Sequence, residues 1–166
     1  RLKVRTIFNI LGPLSNPANV KKQLIGVFDK KWLEPMAETL RNLGSERALL
    51  VNGSDGFDEL TTTGASYVAE LNNGNIKTYE INPVKLGLKL SKFDDLIGAD
   101  PKHNAKKIIN LLEGEKGPYR DIVLLNSAAA LYVDGRVKNL KDGISMSENS
   151  IDNGNAKITL NTLVRT

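Results

Sequence analysis

Apolar residues recur along this chain with two different periods, and the periods divide it into elements. Thr6–Leu11 is apolar at near-helical spacing, and the following Gly12-Pro13-Leu14-Ser15-Asn16-Pro17 is expected to stop any helix. Proline brings no amide donor and restricts the residue before it. Gln23–Phe28 is a short apolar run with β-branched members, which predicts a buried strand. From Trp32 to Leu43 the apolar positions are Leu33, Met36, Ala37, Leu40 and Leu43. That spacing predicts an amphipathic helix closed by Gly44, with Pro35 near its start. Arg47–Gly53 predicts a second buried strand. A strand, a helix and a strand with short connections form the βαβ unit of a parallel sheet.

The rest of the chain adds a hairpin and several helices. Ser66–Leu71 and Ile76–Ile81 flank Asn72-Asn73-Gly74-Asn75. Asn-Gly between alternating residues signals a tight antiparallel turn, expected at a sheet edge. Asp100 suits a helix cap and Pro101 a first helical position. The apolar face of that helix is expected to be Ala105, Ile108, Ile109 and Leu112, with Gly114 ending it. Tyr119–Val133 is apolar nearly all round, as a helix buried in a core must be. Leu140–Thr166 carries sparser apolar positions and predicts weaker helix. There is no internal repeat and no low-complexity linker. Residues 1–166 are therefore expected to form a single α/β domain, a mostly parallel sheet flanked by helices with an edge hairpin.

Composition narrows the chemistry. The 166 residues are 40% hydrophobic and 25% charged, enough to bury a core without covalent staples. The absence of cysteine excludes disulfides, thiolate metal sites and cysteine catalysis within this sequence. One histidine, His103, excludes a multi-histidine metal site. No apolar run approaches the roughly 20 residues of a membrane span. The net charge is +4, unevenly placed. Arg1, Lys3, Arg5, Lys21, Lys22, Lys30 and Lys31 face Asp29 alone in the first 31 residues. Such a segment suits an anionic small molecule, a phosphate or RNA, or is simply solvated surface. Aromatics make up only 5%, thin for a protein that stacks bases. The sequence begins at Arg1, which suggests a processed chain or a piece of a longer one.

Two stretches look functional. Gly12-Pro13 and its flanking loop combine a stiff backbone with no side-chain bulk at Gly12, suited to close approach of a flat ligand. The plainer reading is a helix-to-strand turn. The second stretch, Asn52–Leu60, follows a predicted parallel strand, where open α/β sheets bind ligands. Asp58 and Glu59 are adjacent carboxylates with Asp55 nearby, hard oxygen donors that suit Mg²⁺ shared with substrate phosphates. The loop lacks the alternation of an EF-hand, and a solvated acidic turn is the alternative. Thr61-Thr62-Thr63-Gly64 offers hydroxyls near this pair. His103 is expected on the surface. Asn126 is expected to satisfy neighbouring backbone inside the apolar helix.

Four blocks together carry a resemblance. They are Val4–Ala18, Leu43-Gly44-Ser45-Glu46-Arg47-Ala48, Asp55-Gly56-Phe57-Asp58-Glu59 and Leu125-Asn126-Ser127-Ala128-Ala129-Ala130-Leu131. In order and spacing the chain resembles the anthranilate phosphoribosyltransferases, tryptophan-pathway members of the nucleoside phosphorylase-like phosphoribosyltransferase family. The resemblance implies phosphoribosyl transfer from phosphoribosyl diphosphate to anthranilate with Mg²⁺, in the cytoplasm, with no nucleic acid and no membrane. It implies Asp58 and Glu59 as metal ligands and Gly12 and Pro13 beside the anthranilate path. The family's Gly-Thr-Gly-Gly-Asp loop, its Lys-His-Gly-Asn stretch and its carboxylate-gripping arginine do not occur here. Nor does the N-terminal helical domain through which the family forms homodimers. The chain thus looks like a C-terminal portion with an incomplete site, expected to be inactive alone. A pyrimidine nucleoside phosphorylase, a catalytically silent relative and a nucleic-acid-binding module are the alternatives.

Overall fold

The structure, a computed structural model, describes residues 8–15, 18 and 20–165. Arg1, Lys3, Arg5, Thr6, Ile7, Asn16 and Pro17 lie outside the described residues. The chain runs α1 (Phe8–Leu14), β1 (Lys22–Gly26), α2 (Leu33–Asn42), β2 (Arg47–Gly53), β3 (Ser66–Asn72), β4 (Asn75–Ile81), α3 (Pro101–Leu112), α4 (Pro118–Asp134), α5 (Leu140–Asp152) and α6 (Asn155–Arg165). Short 3₁₀ turns lead into α2 and follow β4.

The four strands form one sheet in the order β1-β2-β3-β4. β1 and β2 are parallel, with Leu24 opposite Leu49 and Ile25 opposite Leu50. This is the expected βαβ unit, with α2 as its crossover. β3 is antiparallel to β2, and β4 to β3. Asn73 and Gly74 turn the edge hairpin with φ of 47° and 84°, the positive values that its tight turn requires. The α/β architecture and the hairpin agree with the sequence reading, but the sheet is mixed rather than mostly parallel. A parallel pairing needs a crossover element, and α2 is the one crossover helix between these strands. The later strands are joined by a loop and by a tight turn.

β2 is buried on both faces, and its alternation distributes the core. Ala48 and Leu50 pack with Ile25, Leu33, Met36, Ala37 and Leu40 under α2. Leu49 and Val51 pack with Val68, Leu125, Ala129 and Val133 under α4. A third cluster joins Leu111, Leu124, Ala128, Ile144 and Ile151 among α3, α4 and α5. A buried carboxylate ties α4 to the sheet: Glu70, in β3, accepts from the Tyr132 hydroxyl and from the Tyr79 hydroxyl, both at 2.8 Å. The Lys77 ammonium lies 3.2 Å from the same carboxylate. Burial, then the bond to Glu70, hold both phenols above their ordinary range.

One local expectation is refined and one is corrected. The helix does end within the expected Gly12–Pro17 stretch, but only after running through Gly12 and Pro13 to Leu14. A proline in the last turn forfeits a single backbone bond, and the Gly12 carbonyl accepts from the Ser15 amide at 3.3 Å. In α3, Asp100 caps through the His103 amide as expected, at 2.9 Å. Its expected apolar face is not the buried one, however, because Ile108 and Ile109 are exposed and Leu111 is buried. Residues 101–109 are exposed throughout, so neighbouring helices reach α3 only at its C-terminal end. Among the described residues no helix is long and apolar enough to cross a membrane.

Candidate functional site

The loop between β2 and β3, residues 54–65, leaves the sheet at the carboxyl end of the parallel pair. Its first half is folded by its own polar residues. Asn52, buried in β2, donates to the carbonyls of Val27 at 2.8 Å and Phe57 at 3.4 Å. The Gly53 amide also donates to the Phe57 carbonyl, at 2.8 Å. Asp55 Oδ1 accepts from the Phe57 amide at 3.0 Å, an Asx-type turn. Its Oδ2 accepts from Thr61 Oγ1 at 2.5 Å and from Thr63 Oγ1 at 2.7 Å. Both oxygens of Asp55 are thus engaged in the loop's own structure. The threonines expected near the acidic pair are there, and they serve Asp55. Thr62 faces Ser91 instead, with Oγ atoms 2.9 Å apart. Phe57 stacks on Phe93 with ring centroids 5.0 Å apart.

Asp58 and Glu59 stand exposed at the crest of this loop. Among the described residues neither side chain has a hydrogen bond or an ion pair. The floor beneath them is tight: a Cβ on Gly26 at the end of β1 would collide with the Asp58 carbonyl oxygen. The next residue, Leu60, is fully buried. Asn126 of α4 grips its backbone, donating to the Leu60 carbonyl at 2.8 Å and accepting from the Leu60 amide at 3.0 Å. The expectation that Asn126 satisfies backbone is met, with the acidic loop as the partner.

The electrostatics follow from this placement. Loss of water on the side of Glu59 that faces the protein, then the negative charges of Asp58 and Asp55, push its carboxyl above the usual carboxylate range. A cation between the two carboxylates relieves both repulsions. Two unpaired hard oxygen donors fit Mg²⁺, which keeps waters and takes further oxygens from phosphates. Among the described residues no group of three or more His, Cys, Asp or Glu is arranged to hold a metal. The pair by itself is therefore not a closed metal centre.

Gly12 and Pro13 stand elsewhere, in the last turn of α1. Gly12 is exposed, and among the described residues nothing lies within 4 Å of where its Cβ would be. Pro13 lines a small hollow with Leu14, Val20, Gln23 and Leu40, and that lining does not include Asp58 or Glu59. His103 is exposed on α3, as expected. Sequence reading missed Gly26, Asn52 and the Asp55–Thr61–Thr63 staple. An aspartate two residues before an amide it can accept from was a usable signal for part of that staple. The Asn126–Leu60 pairing spans 66 residues and left no local signal.

A family model described as "Glycosyl transferase family, a/b domain" matches residues 1–157. The anthranilate phosphoribosyltransferase of Parvibaculum lavamentivorans is 57% identical over 163 residues, 98% of this chain and 48% of that protein. That of a Bradyrhizobium species is 52% identical with the same coverage. The crystal structure of the Thermus thermophilus anthranilate phosphoribosyltransferase superposes with a TM-score of 0.89 at 41% identity, over 99% of this chain and 48% of that one. The Saccharomyces cerevisiae enzyme in complex with PRPP and Mg gives 0.85 at 29% identity, over 95% and 46%. The chain spans about half the length of the curated relatives it matches.

Proposed function

The chain belongs to the glycosyl transferase family, a/b domain, and from that premise we propose that it forms the C-terminal part of an anthranilate phosphoribosyltransferase of tryptophan biosynthesis. In the reaction the bond from ribose C1 to the diphosphate oxygen breaks. A bond from C1 to the anthranilate nitrogen forms, the amine loses a proton, and diphosphate departs. The observation that carries this reading is the exposed, unpaired Asp58–Glu59 pair, held at the carboxyl end of the parallel strands by a loop in which Asp55 binds Phe57, Thr61 and Thr63.

In this reading Asp58 and Glu59 hold Mg²⁺. When bound, the ion neutralises charge that grows on the diphosphate as it leaves. Asp55 shapes the loop and takes no part in ligation. Gly12 and Pro13 line the anthranilate approach, a role that the open surface at Gly12 supports. Phosphoribosyl diphosphate and anthranilate are the small-molecule partners, and the whole protein works as a cytoplasmic homodimer. The solved relatives from Saccharomyces cerevisiae with PRPP and Mg, and with 4-fluoroanthranilate, support the substrate assignment.

The test uses the full-length protein that contains this sequence, given anthranilate, phosphoribosyl diphosphate and Mg²⁺. Loss of anthranilate fluorescence, with the phosphoribosylated product seen by mass spectrometry, is the expected result. A folded full-length protein that leaves anthranilate unconsumed overturns the assignment.

A further inference from the structure

Both donors of Asn126 are committed. Its amide has two N–H donors, and they reach the carbonyls of Leu60 at 2.8 Å and Ile122 at 3.0 Å. Its oxygen accepts from the Leu60 amide. It therefore has no donor left for a substrate, yet it contacts the residue directly after Glu59. Reading both backbone groups of one residue, as a neighbouring strand does, fixes that residue's position and its peptide orientation. Leu60 has its side chain sunk in the core beside Leu125 and Ala129, so the end of the acidic loop is held by packing and by hydrogen bonds together.

The other boundaries of the pair are equally fixed. Gly26 meets the Asp58 carbonyl from below, and Asp55 staples the start of the loop to its end. Three elements thus converge on two exposed carboxylates that carry no partner of their own. Adjacent like charges repel, and a clamped backbone limits how far the two carboxylates can separate before an ion arrives.

We infer that Asn126 is a positioning residue for the Asp58–Glu59 pair, and that α4, through the Asn126–Leu60 clamp, sets the direction in which the two carboxylates point. The inference rests on the reading of that pair as Mg²⁺ ligands. Residues that hold metal ligands from behind commonly change metal affinity by about 10- to 100-fold when removed.

The experiment titrates Mn²⁺, as a paramagnetic stand-in for Mg²⁺, into the full-length protein with phosphoribosyl diphosphate, reading free Mn²⁺ by electron paramagnetic resonance. Asn126→Ala is expected to weaken Mn²⁺ binding about 10-fold and to raise the Mg²⁺ requirement for turnover, with the KM for anthranilate unchanged. Asn126→Gln keeps every hydrogen-bonding group but adds a methylene. It is expected to fold and to show a smaller loss in the same direction. Ile151→Ala removes core volume in the helical cluster and no bond of the clamp, so it lowers Tm and leaves Mn²⁺ binding unchanged. The inference is overturned if both Asn126 variants bind Mn²⁺ as the parent does, or if Ile151→Ala weakens it equally. Asp58→Asn with Glu59→Gln separates the two failures. If that variant loses Mn²⁺ while the Asn126 variants keep it, the clamp alone is wrong. If it too keeps Mn²⁺, the metal reading fails and the inference with it.

Discussion

Asp152 shows what a single partner does to a carboxyl in this protein. Arg120, buried at the start of α4, places Nη1 2.8 Å from Asp152 Oδ1 and donates from Nη2 to Oδ2 at 2.9 Å. The bond to that guanidinium holds Asp152 below the usual carboxylate range. A depressed carboxyl stabilises the fold fully above its unfolded value, and the contribution is lost as pH falls through the folded one. Asp152→Asn is therefore expected to lower Tm near neutral pH. The difference from the parent should shrink in acid, as the parent's own carboxylate protonates. Thermal melts across a pH series check this, and a gap that stays constant into acid contradicts it. At the site, Gly26→Ala forces a Cβ into the Asp58 carbonyl. The loop must shift, so the Mg²⁺ requirement of the full-length enzyme is expected to rise while the sheet persists by circular dichroism. Part of this was legible in the sequence, since Asp58 and Glu59 lie in the loop that follows β2 and Asn126 bonds backbone as expected. Their partnerships were not, because Asp55–Thr61 depends on loop closure and Asn126–Leu60 on helix docking.

The elements most legible in the sequence were those with both a period and a boundary signal. α2 has its apolar stripe, α3 its Asp100-Pro101 start, and the hairpin its Asn73-Gly74 turn. Where a signal acted alone, the structure departed from it. Pro13 is taken into the last turn of α1, and the apolar stripe of α3 did not define its buried face. Burial there depends on how far the neighbouring helices reach. The sheet's mixed character arises in the same way, since strand direction is set by connections rather than by strand composition. The contact between α4 and α5 is a further case. A Cβ on Gly143 would lie 2.8–2.9 Å from Ala128 Cβ, Cα and O, so the two helices touch backbone to backbone. Overpacking of that kind costs about 1–3 kcal/mol, and each kcal/mol shifts Tm by roughly 2–4 °C at this size. Gly143→Ala is expected to lower Tm accordingly, and an unchanged Tm shows that the helices can part freely. Tyr132→Phe removes the bond that ties α4 to Glu70 and is expected to cost about 1 kcal/mol, read by urea denaturation.

At the scale of the whole molecule, the proposed site is one side of the larger one that the proposed function requires. The Asp58–Glu59 pair is exposed and without a partner among the described residues, and Pro13 lines a hollow that includes neither of them. The sequence holds no Gly-Thr-Gly-Gly-Asp loop, and the chain spans about half of each relative. Holding two reactants in line is worth on the order of 7–11 kcal/mol of a barrier in good cases. The 166-residue chain by itself is accordingly expected to give no measurable transfer from phosphoribosyl diphosphate to anthranilate, and turnover by it alone refutes that division of labour. The most direct test of the central claim is a Mg²⁺ titration of turnover in the full-length protein, comparing the parent with Asp58→Asn/Glu59→Gln. The account predicts that the double variant keeps its fold by circular dichroism, while its Mg²⁺ requirement rises or its turnover collapses. A double variant whose titration overlays that of the parent contradicts it and reduces the acidic pair to a solvated turn.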